Sequence, residues 1–314
     1  MFTITLNKMN KIFLTGSNGL VGTNIRENKP KNIILLTPEI DELNLLDVNA
    51  VDEYLLKEKP DYIIHAAGIV GGIQANIAQP VKFLTLNTLM ANNLITMARK
   101  NKVKYFINLG SSCMYPRNAP NPLKEEKVLD GELEPTNEGY AIAKVYAQRL
   151  CSYINMEDGT KNYKTLIPCN LYGRHDKFDP KWSHMIPAVI RKIHEAKQSD
   201  SEFVEIWGDG MARREFMYAG DLANFIWYAL ENIESIPELI NVGLGFDYTI
   251  NEYYQTIADV IGYKGKFKHN LSKPVGMKQK LVDTSLLNSV NWKPNHSLKE
   301  GIENTYKFFL EKNY

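Results

Sequence analysis

Three glycines spaced three residues apart, Gly16, Gly19 and Gly22, separate a short apolar run from an amphipathic stretch. The run 11–15 predicts a buried strand, and the stretch 20–27 predicts a helix. Glycine at these places lets the backbone turn tightly, approach a pyrophosphate and pack the helix on the strand. The spacing is a variant of the G-x-G-x-x-G fingerprint. Its strand–loop–helix context favours dinucleotide binding over a purely structural turn.

The remainder of the first 170 residues alternates predicted strands with predicted helices. Strands are predicted at 32–37, 60–67, 105–110 and 163–168, and helices at 48–58, 80–100 and 140–155. The apolar runs lack polar alternation, as in strands that are buried on both faces of a parallel sheet. This order predicts an α/β fold built on a doubly wound, Rossmann-like parallel sheet.

The pattern changes beyond residue 170, where the polar, Pro- and Gly-containing stretch 172–182 predicts a long loop. Helices are predicted at 185–197 and 221–232, and strands at 202–207 and 240–243. We therefore predict a dinucleotide-binding domain at 1–170, with a returning segment near 215–250. A smaller C-terminal substrate domain is predicted at 171–314. Residues 1–8 precede the first strand and are expected to be a dispensable extension or to lie before the true start.

The overall charge gives no sign of a nucleic-acid partner. The chain has 37 Lys and Arg against 36 Asp and Glu, a net charge of +1, and no run of one sign. A nucleic-acid-binding surface would add a basic excess. No apolar run approaches the length that spans a bilayer. The three cysteines, Cys113, Cys151 and Cys169, lack disulfide or metal-ligand spacing, so we predict a cytoplasmic protein without a metal site.

Tyr140 and Lys144 are one turn apart in a predicted helix and therefore share a face. An ammonium beside a phenol favours the phenolate, so the pair is expected to lower the tyrosine pKa. A tyrosine tuned in this way is a general acid that works near neutral pH. Ser111 follows a predicted strand at the sheet edge where ligands bind, and its hydroxyl is expected to orient a substrate carbonyl. The alternatives are a turn serine and an ordinary buried tyrosine.

The residues after the second strand are expected to select the cofactor. An acid at this place binds the ribose 2′-hydroxyl of NAD, and an arginine accepts the 2′-phosphate of NADP. The strand continues into Thr37-Pro38-Glu39 without an arginine, and Asn18 occupies the glycine loop. The local sequence therefore leaves NADH open as the cofactor. Thr37 or Asn18 could also hydrogen-bond the 2′-phosphate of NADPH.

Four motifs together resemble the extended short-chain dehydrogenase/reductase family, and the resemblance covers nearly the whole chain. They are Gly16-x-x-Gly19-x-x-Gly22, His65-Ala-Ala-Gly68, Gly110-Ser-Ser-Cys-Met-Tyr-Pro116 and Tyr140-x-x-x-Lys144. The resemblance implies NADPH as the cofactor, NADH not being excluded, and a homodimer formed through helices near 85–100 and 140–155. The implied cofactor contacts are Gly16, Ser17, Asn18, Gly19, Leu20, Val21, Gly22, Thr37, Ala66, Ala67, Gly68, Tyr140, Lys144 and Pro168.

Further strings are similar to the GDP-L-fucose synthase branch of that family. They are Glu134-Pro-Thr-Asn-Glu138, Asn170-Leu-Tyr-Gly173, His175-Asp176, Ser183-His184-Met-Ile-Pro187 and Arg214-Glu-Phe216. The similarity implies 3,5-epimerisation and 4-reduction of a GDP-linked 4-keto-6-deoxy sugar.

That similarity implies a role for Cys113 and His184 as the two groups that exchange protons. A thiol and an imidazole suit this chemistry at neutral pH, since the ketone acidifies the neighbouring C–H bonds. Without the similarity, Cys113 would be a small buried hydrophobe and His184 a helix-terminal residue. A thiol where sugar 4,6-dehydratases carry an acid argues against dehydration.

The similarity also implies five substrate-binding residues. Arg214 and Lys280 would meet the diphosphate, Lys192 would replace a commonly found arginine, Trp207 would line the pocket and Asn170 would hold the sugar. The alternative is a solvated cation for each basic residue and core packing for Trp207. Two other functions stay open: 4-reduction of a GDP-4-keto-6-deoxy-heptose without epimerisation, and non-catalytic dinucleotide binding.

Overall fold

A computed structural model describes residues 10–179, 183–273 and 277–312, so the predicted extension at 1–8 lies outside the described residues. Its central element is a six-stranded parallel sheet in the order β10-β5-β4-β3-β1-β2. The strands of this sheet are β1 (Lys11–Thr15), β2 (Ile34–Leu36), β3 (Tyr62–His65), β4 (Tyr105–Leu109), β5 (Tyr163–Pro168) and β10 (Leu239–Val242).

Helices cover both faces of this sheet. One face packs on helices α1 (Leu20–Glu27) and α7 (Ala219–Glu231) and buries Ile12, Leu14 and Ile64. The other face packs on α2 (Val48–Glu58), α4 (Pro80–Lys100) and α5 (Glu138–Asp158) and buries Phe13, Ile63 and Phe106. Successive strand residues point to opposite faces, so their apolar runs bury both sides. The predicted doubly wound α/β fold is confirmed.

A second apolar cluster lies in the C-terminal part of the chain. It contains Ile190, Ile206, Tyr253 and Phe309 among its buried side chains. The helices around it are α6 (Met185–Gln198), α8 (Ile250–Ile261) and α10 (Leu298–Glu311). The shorter helices of the chain are α3 (Ile73–Ala78) and α9 (Ser285–Ser289).

Short strands form three further small sheets among the described residues. β6 (Asn170–Tyr172) pairs with β9 (Phe216–Tyr218), and β7 (Phe203–Trp207) pairs with β12 (Lys266–Asn270). A three-stranded sheet has the order β11-β8-β13. Its strands are β8 (Arg213–Arg214), β11 (Tyr248–Thr249) and β13 (Gln279–Lys280).

The structure corrects some predicted element bounds. β2 and β3 are shorter than predicted, and Tyr172, the first residue of the predicted loop 172–182, is the last residue of the strand β6. Residues 180–182 of that predicted loop lie outside the described residues. The predicted strand at 240–243 forms the edge of the main sheet as β10, beside β5. The domain bounds at 170 and 171 stay a prediction.

Candidate active site

The glycine loop leaves no room for side chains at two of its three glycines. Gly16 has φ +68°, and a Cβ there would lie 2.6 Å from the Ala67 nitrogen. A Cβ on Gly22 would lie 2.1 Å from the Gly16 oxygen. By contrast, a Cβ on Gly19 would make only ordinary contact, at 3.5 Å. Close packing of β1, the loop and α1 therefore requires Gly16 and Gly22, and the backbone stays open to a ligand.

The first turn of α1 has the geometry of a phosphate-binding site. Gly19 caps this helix without a side-chain hydrogen bond. Helix N-termini carry N–H groups without intrahelical partners and the positive end of the helix dipole. β1 and β3 are neighbours at the point where the strand order reverses, which is where ligands bind in such sheets. The loop from Gly16 to Gly22 and the first turn of α1, together called the cradle below, therefore fit the pyrophosphate of a dinucleotide.

Polar side chains tie β3 and its following loop to this cradle. The Thr15 hydroxyl is 3.0 Å from His65 Nδ1 and accepts a hydrogen bond from the Ala67 nitrogen at 3.2 Å. Burial lowers the pKa of His65 to about 3, so this imidazole stays neutral. Asn87 on α4 binds both the nitrogen and the oxygen of Ile69, at 2.7 and 3.1 Å. Asn87 was not predicted as a site residue. The one sequence signal was a polar residue in a helix that is otherwise largely apolar.

Asn18 of the glycine loop hydrogen-bonds both an acid and an arginine. Asn18 Nδ2 donates to Glu39 Oε2 at 2.6 Å, and Arg26 Nη1 donates to Asn18 Oδ1 at 2.9 Å. Thr37 is partly buried just beyond β2. No arginine follows the second strand, and Arg26 of α1 supplies one at this place instead. The group therefore contains both residue types that discriminate between ribose 2′-hydroxyl and 2′-phosphate.

Tyr140, Lys144 and Ser111 form one cluster at the carboxyl end of β4. The Lys144 ammonium donates to the Leu109 oxygen at 2.8 Å and lies 5.7 Å from the centre of the Tyr140 ring. A Cβ on Gly68 would lie 3.8 Å from Lys144 Nζ, which joins the cluster to the cofactor cradle. Burial lowers the pKa of Lys144 to about 8.

The expected lowering of the Tyr140 pKa is wrong. Surrounding protein atoms desolvate the hydroxyl and raise the pKa above its ordinary value, although part of the ring remains accessible. The Coulombic effect of Cys113 adds to this rise, and a hydrogen bond with Ser111 opposes it. Desolvation is the largest of these effects, and the Lys144 ammonium, 5.7 Å from the ring centre, does not reverse it. The phenol therefore keeps its proton, as a proton donor must.

The thiol of Cys113 is next to this cluster and has two nitrogen donors. Asn137 Nδ2 lies 3.1 Å and Lys280 Nζ 3.9 Å from the sulfur. Lys280 is also the strand neighbour of Arg214, because β13 pairs with β8. Two adjacent cations repel each other and attract an anion. Cys151 and Cys169 are buried, as expected for packing residues.

His184 belongs to a separate group with Asp176. Its Nδ1 lies 3.7 Å from Asp176 Oδ1, and the carboxylate raises the pKa of the imidazole. The Asp176 side chain is 3% exposed, whereas that of His184 is 45% exposed. The residue before Asp176, His175, has φ +69° and binds Glu27 Oε1 at 2.8 Å. An accessible imidazole on a buried carboxylate is a suitable proton donor.

The remaining predicted substrate residues have defined partners. The Lys192 ammonium donates to the Glu205 oxygen, and Trp207 Nε1 donates to Glu205 Oε1 at 3.0 Å. Trp207 is 55% exposed, which excludes core packing. Asn170 donates to the Glu215 oxygen at 2.9 Å. Pro168 ends β5, buried beside β10.

Glu215 is a buried carboxylate that lies within the Arg214-Glu-Phe216 string but was given no role in the sequence analysis. It accepts hydrogen bonds from the nitrogens of Leu244 at 2.6 Å, Gly245 at 3.0 Å and Val282 at 2.9 Å. Burial raises its pKa to about 7. Its carboxylate therefore holds the loop after β10 and the segment that directly follows the strand of Lys280 at one point next to Arg214. The only sequence signal was its place between Arg214 and an apolar residue.

Residues 12–243 match the model of the NAD dependent epimerase/dehydratase family. The chain belongs to this family. It is 55% identical to a GDP-L-colitose synthase of Yersinia pseudotuberculosis, over 96% of this chain and 99% of the relative. It is 42% identical to a GDP-L-fucose synthase of Escherichia coli, over 96% of this chain and 97% of the relative.

Solved structures of the family share the fold over almost the whole chain. A GDP-6-OMe-4-keto-L-xylo-heptose reductase from C. jejuni has a TM-score of 0.91 and 33% identity, over 98% of this chain and 99% of that one. A GDP-L-fucose synthetase from Naegleria fowleri with NADP bound has a TM-score of 0.90 and 26% identity, over 99% and 96%. Among the described helices, none combines the length and apolar character needed to cross a membrane.

Proposed function

We propose that the protein is an NADP(H)-dependent enzyme that reduces the C4 ketone of a GDP-linked 4-keto-6-deoxy sugar after epimerisation at C3 and C5. The observation that carries this proposal is one cluster at the carboxyl end of β4. There a protonated Tyr140 hydrogen-bonds Ser111, beside the thiol of Cys113 and the buried Lys144. The relatives named GDP-L-colitose synthase and GDP-L-fucose synthase support the nucleotide and the sugar class.

The reduction uses three side chains. The residues of the cradle would hold NADPH, which would supply the hydride for the substrate carbon. Tyr140 transfers its phenolic proton to the C4 oxygen, and the Ser111 hydroxyl polarises that oxygen by hydrogen bonding. Lys144 lies between the tyrosine ring and the loop of Gly68, where it can bind the nicotinamide ribose and stabilise the phenolate left behind.

Epimerisation uses Cys113 and His184. The sulfur takes the proton from the carbon beside the ketone, the C–H electron pair forms the enolate double bond, and the carbonyl oxygen takes the charge. His184, whose imidazole pKa is raised by Asp176, returns a proton to the opposite face of that carbon. Cys113 then releases its proton to solvent and His184 takes one up, which restores both groups, and the same exchange follows at the second carbon.

The charges around β8 suit a diphosphate. Arg214 and Lys280 are adjacent cations, and an anion with two phosphates would neutralise both. Trp207 offers an exposed ring for the base or sugar, and Lys192 and Asn170 complete the proposed substrate contacts.

Two α-helices offer a surface for a second copy. α4 and α5 pack together and expose Leu89, Ile142, Tyr153 and Met156, of which Met156 is 72% exposed. Exposed apolar patches of this kind mark interfaces. We therefore propose a homodimer through these helices, in a cytoplasmic enzyme whose cofactor domain spans 1–170 with a return near 215–250 and whose substrate domain spans 171–314.

Incubation with a GDP-4-keto-6-deoxy-mannose and NADPH in deuterium oxide tests the reaction. The expected product carries deuterium at C3 and C5 and a reduced C4, as read by NMR. Reduction without deuterium at either carbon would remove the epimerase half and favour a heptose-type 4-reductase, which the fold similarity to the C. jejuni reductase also allows.

Tyr140→Phe separates catalysis from simple dinucleotide binding. We expect turnover to fall about 10²- to 10⁴-fold while NADPH binding persists, because only the donated proton is lost. Undiminished turnover would refute the assignment of the proton donor. Binding of NADPH without any turnover on a panel of GDP-4-keto sugars would instead indicate a non-catalytic protein.

A further inference from the structure

We propose that Asn137 and Lys280 are positioning residues for Cys113, which hold its sulfur between two N–H donors and stabilise the thiolate form that removes the substrate proton. This inference rests on the proton exchange proposed above. It adds a residue, Asn137, to the site and gives Lys280 a role at the thiol in addition to the diphosphate.

The geometry puts two N–H donors, a neutral amide and an ammonium, at one sulfur from different parts of the chain. Asn137 Nδ2 approaches the Cys113 sulfur to 3.1 Å from the turn before α5. Lys280 Nζ approaches it to 3.9 Å from β13, 167 residues away along the chain. Donors of hydrogen bonds and positive charge both favour the charged form of an acid. Thiolate is the form of cysteine that acts as a base or nucleophile.

The oxygen of the Asn137 amide shows that holding this side chain at the sulfur reduces the stability of the fold. Within the described residues, Asn137 Oδ1 is buried and has no hydrogen-bond partner. A buried polar atom without a partner destabilises the fold. The Asn137 side chain donates to the Cys113 sulfur. Its position is therefore better explained by contact with that sulfur than by stabilisation of the turn.

The other charged and titratable groups that face the thiol stay the same in the test. They are Tyr140 and Lys144, both on α5, and each has an electrostatic interaction with Cys113. Lys280 is the facing group from β13. Substitutions at Asn137 and Lys280 therefore change the two donors and leave the α5 pair unchanged.

The experiment measures alkylation of Cys113 by iodoacetamide, in which the thiolate sulfur displaces iodide. Rates are followed from pH 6 to 10 by mass spectrometry of the Cys113 peptide, and Cys113→Ser gives the blank. We expect Asn137→Ala and Lys280→Met each to lower the rate at neutral pH by about tenfold and to move the midpoint of the profile to higher pH. The matched controls Asn118→Ala and Lys278→Met change exposed residues and should leave the profile unchanged.

Asn137→Asp distinguishes electrostatic from structural support. The carboxylate has the same shape as the amide but places negative charge at the sulfur, so we expect it to lower the rate more than Asn137→Ala does. A purely structural role predicts the opposite order. Profiles of Asn137→Ala, Asn137→Asp and Lys280→Met that all coincide with the parent profile would overturn the proposal. If an Asn137 variant fails to fold, Lys280→Met alone decides, because Lys280 is only partly buried.

The alkylation assay contains no substrate, so it remains informative if the proposed function fails. The separate measurement is deuterium incorporation into the keto sugar by Cys113→Ser. If Cys113→Ser still incorporates deuterium into the sugar, the assignment of Cys113 as the base in the proposed function is refuted. Retained incorporation by Asn137→Ala and Lys280→Met, at the parent rate, would overturn the positioning role even if alkylation slowed.

Discussion

Lys144 should make the folded protein less stable at neutral pH than an apolar residue would. Burial lowers its pKa from 10.5 to about 8. At about 1.4 kcal/mol for each pH unit, the buried charge costs roughly 3 kcal/mol. Lys144→Met removes this cost and also the hydrogen bond to the Leu109 oxygen, whose loss costs about 1–3 kcal/mol. We expect a variant between equally stable and about 2 kcal/mol more stable at pH 7, with its reductase activity lost.

The pH dependence gives the decisive measurement. Below about pH 8 Lys144 is protonated in both the folded and the unfolded chain, so the full cost is present. Between about pH 8 and 10.5 only the unfolded chain keeps the proton, and the stability of the parent rises with pH. The advantage of Lys144→Met should therefore shrink by roughly 3 kcal/mol from pH 7 to above pH 10.5.

Urea unfolding without cofactor, at a series of pH values, measures this difference. The parent and the variant are compared at each pH, so the titration of the other groups cancels in the difference. These groups include the buried Lys164, because burial also lowers its pKa to about 8. Lys278→Met is the matched control on an exposed lysine and should follow the parent. A free-energy difference between parent and Lys144→Met that stays constant with pH would refute the reasoning.

Three further predictions follow from individual contacts. Asp176→Asn removes the carboxylate that raises the His184 pKa, so the loss of deuterium exchange with rising pH should begin at lower pH, as measured by NMR; an unchanged pH profile would contradict the pairing. Glu39→Gln removes a negative charge from the Asn18 group, so NADPH should bind severalfold tighter and NADH no tighter, by fluorescence titration. Equal changes for both cofactors would count against a role at the 2′ position. Met156→Glu should weaken self-association at least tenfold in sedimentation experiments, and an unchanged dimer would exclude the α5 surface.

The sequence predicted the elements whose apolar runs are long and uninterrupted. β1, β5, α1, α2 and α4 have the predicted bounds, since strands buried on both faces and helices with one apolar face have distinct periods. The C-terminal helices α8 and α10 were not predicted, although each begins with a capping box, Thr249 with Glu252 and Ser297 with Glu300. That motif is visible in the sequence and would have placed both starts.

The site was predictable as a set of residues but not as a network. Motifs and family resemblance named Ser111, Cys113, Tyr140 and Lys144, and the fold brings them together. The place of Lys280 at the thiol could not be predicted from the sequence, because that contact depends on the pairing of two-residue strands. The direction predicted for the Tyr140 pKa was also wrong, because desolvation depends on how the whole chain packs around the hydroxyl.

The carboxylate of Glu215 has a consequence for how this enzyme tolerates mutation. It holds three backbone nitrogens from two separate segments, and one of those segments carries the lysine at the thiol. Random mutagenesis scored by product formation should therefore rank this glutamate beside the proton donor. A search limited to residues within reach of a docked sugar nucleotide would overlook it.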